Sequence, residues 1–200
     1  MIGFILLLVV VAVVAFWVMG AFNSLIALKN QVANAWKQID VQLKRRHDLI
    51  PNLVNTVKGA MQFERETLEA VVAARNQAVS VQASGSVAAM AAAETQLTGA
   101  LSRLMAVVEA YPELKATGNV AQLQEELTST ENKIAFARQL YNDTATLYNT
   151  KQHQFPTMFV AGLAKAQPAE LWEITDVAER AVPQVDLGLG SRTNAQAPRA

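Results

Sequence analysis

The chain has no cysteine, which excludes disulfides, thiolate nucleophiles and cysteine-based zinc sites. It has only two histidines, His47 and His153, and neither belongs to a His-x-x-x-His or Glu-x-x-His pattern. The nucleophile-elbow and phosphate-loop motifs are also missing. We therefore predict a non-enzymatic protein without a metal or cofactor, and interpret both histidines as surface or helix-capping residues.

The chain also lacks an excess charge, because 17 basic residues balance 17 acidic ones. No global field attracts nucleic acid, so we expect no nucleic-acid partner. The missing cysteines do not identify the cellular compartment.

Charge is locally absent from residues 2–22, which are almost entirely apolar. About 20 such residues match a hydrocarbon core of about 30 Å, so we interpret residues 1–22 as a transmembrane anchor. A cleavable signal peptide is the competing interpretation, but it normally begins with basic residues and ends at a small-residue site. Here Phe16, Trp17, Met19 and Phe22 occupy the far end. A buried core helix is weaker still, since the run is apolar on every face.

Basic residues follow the anchor, beginning with Lys29 and Lys37, and none precedes it. The positive-inside rule then places the N-terminus outside and the following domain in the cytoplasm.

After the anchor, apolar residues recur at steps of three and four, as in Leu25, Leu28, Val32 and Trp36. The pattern predicts an all-α fold in which the anchor continues into an up-down antiparallel bundle of four long helices, residues 23–155. We place the first reversal near Asp48, because Pro51 suits the first turn of a new helix. Turns near Ser84–Ser86 and Tyr111–Asn119 separate the remaining helices.

If the second hairpin turns between Ser84 and Gly85, facing residues have numbers that sum to about 169. Leu68 then meets Leu101, and Arg75 meets Glu94. We predict an ion pair between Arg75 and Glu94 within the bundle; the alternative is that both side chains extend to solvent.

Two long motifs occur in order after the anchor. The first comprises residues 23–54, including Ala35-Trp36 and Ile39-Asp40-Val41-Gln42-Leu43-Lys44-Arg45-Arg46-His47-Asp48-Leu49-Ile50-Pro51. The second comprises residues 111–156, including Tyr111-Pro112-Glu113-Leu114 and Thr130-Glu131-Asn132-Lys133-Ile134-Ala135. With the anchor, these motifs resemble the LemA family. The resemblance covers roughly residues 1–175 and implies a bacterial, single-pass inner-membrane protein with a helical bundle and no established enzymatic activity. One LemA-like branch is associated with membrane invagination in magnetosome formation, which is an analogy only.

The predicted zigzag gives the bundle two poles. The membrane-near pole holds the Ser84–Ser86 turn, and the far pole, about 30 Å or more from the bilayer, holds the basic cluster Lys44, Arg45 and Arg46. That cluster is farther from its own membrane than a Debye length of about 8 Å, so it does not bind that membrane. It either binds an acidic protein or an apposed anionic membrane, or only stabilises the end of its helix through the helix dipole.

Two further surfaces carry alternatives. Tyr141 and Tyr148 are one heptad apart, as are Asn142 and Asn149, so they form either core packing or a lateral helix–helix interface of a coiled-coil type. The apolar segment 156–187, predicted to be partly helical, lies either in the membrane interface or on the bundle; its apolar residues are Phe159, Leu163, Leu171 and Trp172. Residues 188–200 are predicted to be disordered.

Two functions fit these features. The first is a membrane-anchored scaffold that forms homo-oligomers and organises or remodels the cell envelope. The second is an adaptor that recruits a partner through its far pole. Catalysis is a distant third.

Overall fold

The computed structural model describes residues 1–59, 61, 64–83, 85–112 and 118–173, and within these ranges the chain forms five helices and no strand. We number them in chain order: α1 (Ile2–Lys58), α2 (Arg65–Gln82), α3 (Val87–Glu109), α4 (Gly118–His153) and α5 (Thr157–Leu163). The predicted all-α architecture with a long apolar N-terminal helix is confirmed. The tail predicted for residues 188–200, and residues 174–187 before it, lie outside the described ranges.

Helix α1 contains both the apolar N-terminal run and the first rod of the bundle. It is 57 residues long without interruption, and its first half is long and apolar enough to cross a membrane. The side chains of residues 2–17 are all exposed, whereas Leu25, Ala35, Ile39 and Leu43 are buried. One helix therefore passes from a stretch whose side chains are exposed in the described part of the molecule into the packed bundle.

The predicted reversal near Asp48 is wrong, because α1 continues through Pro51 to Lys58. A proline inside a helix has no N–H, so the carbonyl four residues earlier loses its hydrogen bond. That carbonyl belongs to His47, and here it accepts a hydrogen bond of 3.2 Å from Nε of Arg75 on α2. The lost backbone bond is thus replaced by a side chain 28 residues away, and the helix does not need to end.

The bundle is antiparallel, with α1 against α4 along most of its length and α2 against α3. Three buried clusters follow one another along it. The distal cluster draws on α1, α2, α3 and α4 around Leu53, Val71 and Leu97. The middle cluster contains Ile39 and Ile134, and the membrane-proximal cluster contains Leu25 and Tyr148. Leu68, Leu101, Met61 and Val108, which the predicted hairpin register pairs, share the distal cluster.

The α2–α3 hairpin does not reach the membrane-near pole, which corrects the predicted zigzag. Gln82, the last residue of α2, donates a hydrogen bond of 2.5 Å to Oδ1 of Asp40. Asp40 lies 18 residues beyond Phe22, or about 27 Å along α1. The molecule is therefore four helices thick at its distal end and mainly two helices thick, α1 and α4, near the membrane.

The chain after α4 completes this thinner half. Helix α5 packs on α1 and α4, and Val160 and Ala161 join Leu25 and Tyr148 in the membrane-proximal cluster. Residues 166–173, which we call the strap, then run along α4 without forming a helix. Helix α5 and the strap therefore supply core residues to the bundle.

Candidate functional site

A buried ionic cluster lies where α1, α3 and α4 meet, and consists of Arg46, His47, Glu94 and Glu131. Arg46 is only 1% exposed. Its guanidinium pairs with the carboxylates of both Glu94 and Glu131. Nε2 of His47 lies 2.8 Å from Oε1 of Glu94. Arg46 also donates to Oγ1 of Thr98 at 3.2 Å. The cluster therefore joins three helices through charged groups.

Electrostatics explain how Glu94 stays ionised inside the bundle. Burial disfavours its charged form, but the hydrogen bond from His47 and the charges of Arg46 and His47 outweigh that effect. The pKa of Glu94 consequently lies below its ordinary value of 4.5. The cluster has a structural role in joining the helices, since Glu94 is 4% exposed and Arg46 is shielded from solvent.

The structure corrects the predicted basic cluster. Lys44 and Arg45 are exposed, and Arg45 lies 3.8 Å from Oε2 of Glu126. Arg46 is buried and already paired with two carboxylates. His47, interpreted as a surface or capping residue, is 2% exposed, whereas His153 is exposed with Nδ1 at 2.8 Å from the carbonyl of Asn149. One of three charges is thus unavailable to a partner.

The predicted Arg75–Glu94 ion pair is also replaced. The ion pairs among the described residues assign Glu94 to Arg46 and His47, while Arg75 donates to the carbonyl of His47 and to Oδ1 of Asn76. The hairpin register identified a polar layer at the right height. It missed α1 as the source of the cation, because Arg46 and His47 sit in a run of charged residues that is typical of a surface.

The second notable arrangement is a pair of asparagine clamps on α4 that hold the strap. Asn149 accepts from the N–H of Ala169 at 2.7 Å and donates to the carbonyl of Ala169 at 2.8 Å. Asn142 makes the same two bonds with the N–H and carbonyl of Trp172, at 2.8 and 3.0 Å. Each amide therefore satisfies both backbone groups of one strap residue.

Aromatic rings close the groove around the strap. Trp172 is 4% exposed, and its ring centroid lies 6.0 Å from that of Trp36 on α1. The guanidinium carbon of Arg138 lies 5.9 Å from the Trp172 ring centroid, within cation–π range. The hydroxyl of Tyr141 donates to the carbonyl of Glu170 at 2.7 Å. Burial and the nearby Glu170 raise the pKa of Tyr141, so that hydroxyl remains a donor.

These contacts distinguish core packing from a lateral interface for the tyrosine and asparagine pairs of α4. Tyr141 and Tyr148 are core residues, and Asn142 and Asn149 bind the chain's own strap, so the predicted lateral interface is not free on the surface of α4. Burial raises the pKa of Tyr148 as well. Trp172 is packed on the bundle rather than presented to lipid, which corrects its place in the predicted membrane-interface segment.

The other part of that segment is a membrane-proximal patch, consisting of Phe155, Met158, Phe159 and Leu163. Phe155, Phe159 and Leu163 are 78%, 65% and 77% exposed. The opposite face of α5 packs in a cluster with Val18 and Ala21, which belong to the apolar run of α1. The patch therefore faces outward at the level where α1 leaves its apolar stretch, and the partly exposed Leu171 lies on the strap beyond it.

A distal groove between α1 and α2 has a volume of about 790 Å³. It is lined mainly by apolar and basic residues, among them Val54, Lys58, Met61 and Val72. The described part of the chain contains no group of three histidine, cysteine, aspartate or glutamate residues placed to hold a metal ion.

These features define a class of protein: a helical bundle carried on an apolar N-terminal helix that can span a membrane. The LemA family model matches residues 35–187, and the chain belongs to the LemA family. The match continues 14 residues past Glu173, so the strap lies well inside it.

Among similar proteins is Protein LemA of Metamycoplasma hominis, 25% identical over 175 residues, which cover 88% of this chain and 77% of the relative. Magnetosome protein MamQ 2 of Paramagnetospirillum magneticum is 23% identical over 189 residues, covering 82% of this chain and 70% of the relative. Magnetosome protein MamQ of Magnetospirillum gryphiswaldense is 22% identical over 163 residues, covering 70% and 60%. The resemblance read from the two sequence motifs is confirmed.

Proposed function

We propose that this protein is a non-enzymatic scaffold, anchored in the bacterial inner membrane with its bundle in the cytoplasm, that self-associates and organises or remodels the envelope. The observation that carries the proposal is the continuity of α1. The apolar side chains of residues 2–17 are exposed in the described part of the molecule, while the second half of α1 is the central rod of the bundle. A rigid link of this kind transmits the orientation of the anchor to the bundle, as a scaffold requires.

The membrane-proximal patch supports the remodelling part of this proposal. Large apolar side chains at the level where α1 enters the bilayer insert into the interface of one leaflet, where their burial is favourable. An insertion confined to one leaflet expands that leaflet relative to the other. Two of the relatives are named as magnetosome proteins, which is compatible with a role at a shaped membrane.

Electron microscopy of full-length protein reconstituted in liposomes tests the scaffold. We expect ordered rings, filaments or patches and a change in liposome curvature at high protein density. Particles that remain isolated monomers on undeformed liposomes would contradict it. The variant F155S/F159S separates assembly from remodelling, because it removes both phenylalanines of the patch and leaves the clamps unchanged; we expect assemblies that bend the membrane less. Protease protection of a C-terminal tag in inverted vesicles checks the orientation.

An adaptor is the second candidate, and the distal groove favours it, because it is open, apolar and far from the bilayer. The basic cluster supports the adaptor less, since Arg46 is buried. Substitution V72S in the groove, with V41S on an exposed face of α1 as control, distinguishes the two functions. Loss of one stoichiometric partner in V72S alone would favour the adaptor, and unchanged assemblies in both variants would favour the scaffold.

A further inference from the structure

The clamps and Tyr141 hold the strap by its main chain. All five hydrogen bonds that Tyr141, Asn142 and Asn149 make with it go to backbone N–H or carbonyl groups. The clamps are seven residues apart on α4, about 10.5 Å along the helix axis. Their targets, Ala169 and Trp172, are three residues apart, which spans about 10 Å in an extended chain. The groove therefore has the register of a binding site for an extended peptide.

Side-chain recognition in the groove is concentrated in one residue. Trp172 is buried between Trp36, Tyr141 and Arg138, and it gives the site its preference for an aromatic residue at this position. A second copy of this chain offers the same backbone spacing and the same tryptophan. Its strap makes every contact that the resident strap makes.

The connection between α5 and the strap is short and strained. Lys165 adopts φ 47°, a left-handed conformation that costs a residue with a Cβ appreciable free energy. The N–H groups of Lys165 and Ala166 bond to the carbonyls of Gly162 and Ala161 and close the last turn of α5, whereas the side chains of Lys165, Gln167 and Pro168 are exposed. The five steps between Cα atoms from Ala164 to Ala169 span at most about 17 Å when straightened, more than the usual separation of about 8–10 Å between packed helices. Strained short linkers favour exchange of the segment that follows them.

We propose that straps are exchanged between copies, so that the strap of one protein occupies the clamp groove of its neighbour. This inference deepens the proposed scaffold function and rests on it. The anchor places every copy at the same height above the bilayer, so a groove and a neighbouring strap are level with each other. A reciprocal exchange has twofold symmetry about an axis normal to the membrane, and the membrane raises the local concentration of partners.

The absence of native cysteine permits a direct test. Full-length N149C with one affinity tag and full-length A169C with another are coexpressed, and their membranes are oxidised. A disulfide between the two differently tagged chains forms only when the strap of the A169C chain lies in the groove of the N149C chain. We expect this cross-chain product. The double variant N149C/A169C at low density is the control for geometry, and it should form the disulfide within one chain.

Two variants keep the test sharp. Lys165→Gly removes the strain from the closed form, and we expect it to lower the cross-chain yield about 5- to 30-fold. Gln167→Gly, at an exposed position in the same linker, is the matched control and should leave the yield within about twofold.

The outcomes separate the inference from the scaffold function. Assemblies on liposomes without a cross-chain disulfide, while the double variant closes within one chain, would overturn exchange and leave the scaffold intact. A cross-chain disulfide without larger assemblies would support exchange and contradict the scaffold. Capture of an unrelated peptide in place of the strap, again without the cross-chain product, would also overturn exchange.

Discussion

At the scale of single residues, Arg46 shows how a charged side chain becomes a core residue. It is surrounded by Glu94 and Glu131, so its burial is compensated by two opposite charges, and it connects α1 to α3 and α4. Removing one member of a buried ion pair commonly costs about 3–5 kcal/mol, because the remaining charge stays without compensation. Such a cluster specifies the helix register more strongly than it stabilises the fold.

The first prediction concerns Glu94 and acid. Because its pKa is lowered in the folded state, its contribution to stability is complete above pH 4.5 and is lost as pH falls through the lower, folded-state pKa. We expect Glu94→Gln to be less stable than the unsubstituted protein at pH 7 by about 3–5 kcal/mol. We also expect this difference to shrink below pH 4.5. Thermal unfolding by circular dichroism in detergent, repeated at several pH values, measures it.

Glu125→Gln is the control for this prediction, because Glu125 is exposed on α4. It should follow the unsubstituted protein at every pH. An undiminished difference between Glu94→Gln and the unsubstituted protein in acid would show that Glu94 does not carry the effect.

The second prediction concerns the carbonyl freed by Pro51. Loss of a charged donor to a partly buried carbonyl costs about 1–3 kcal/mol, so we expect Arg75→Met to destabilise the protein by that amount. Pro51→Ala restores an N–H that bonds the same carbonyl. In that background Arg75→Met should cost less, and a double-mutant cycle by chemical unfolding measures the difference. Strictly additive effects would contradict the replacement.

At the scale of elements, the sequence predicted the helices better than their ends. Periodic apolar residues such as Leu25, Ile39 and Ile134 place α1 and α4 correctly, because one helical face packs against one core. The end of α1 was wrong, since a local rule about Pro51 was overridden by a donor 28 residues away. The seven-residue spacing of Asn142 and Asn149 was visible, but their partner was not, because backbone groups of an irregular segment leave no sequence pattern.

The third prediction tests the clamps. Each asparagine makes two hydrogen bonds, each with a net contribution of about 0.5–1.5 kcal/mol, so Asn149→Ala should weaken strap binding by about 1–3 kcal/mol. We expect faster hydrogen–deuterium exchange at the amide of Ala169, by about tenfold or more. Asn132→Ala, on an exposed position of the same helix, is the control. Equal exchange at Ala169 in both variants would exclude a clamp.

The fourth prediction tests the membrane-proximal patch. In the cysteine-free chain, an environment-sensitive fluorophore at F159C should be quenched by brominated lipid in liposomes, because α5 lies where α1 leaves the bilayer. The same fluorophore at F136C, an equally exposed phenylalanine on α4 near the ionic cluster, should not be quenched. Equal quenching at both positions, or none at either, would contradict interfacial insertion of α5.

At the scale of the whole molecule, α1 determines both height and orientation. From Phe22 to Lys58 it rises about 54 Å, so the distal end is much farther from the bilayer than the basic cluster alone suggested.

The fifth prediction is that energy transfer from a donor at K58C to acceptors in the lipid corresponds to about 50 Å. A Gly-Ser insertion after Phe22 should shorten and broaden that distance while leaving the bundle folded. A distance unaffected by the insertion would show that the helix is not a rigid support.

The difference in thickness between the two halves of the bundle has a geometric consequence. A body with four helices at its tip, and only two long helices with the short α5 at its foot, is narrower toward the lipid. When many copies crowd together on a flat sheet, their tips touch first and lipid fills the gaps between their feet. Closing those gaps requires the tips to fan outward, so the underlying sheet bulges toward the side that carries them.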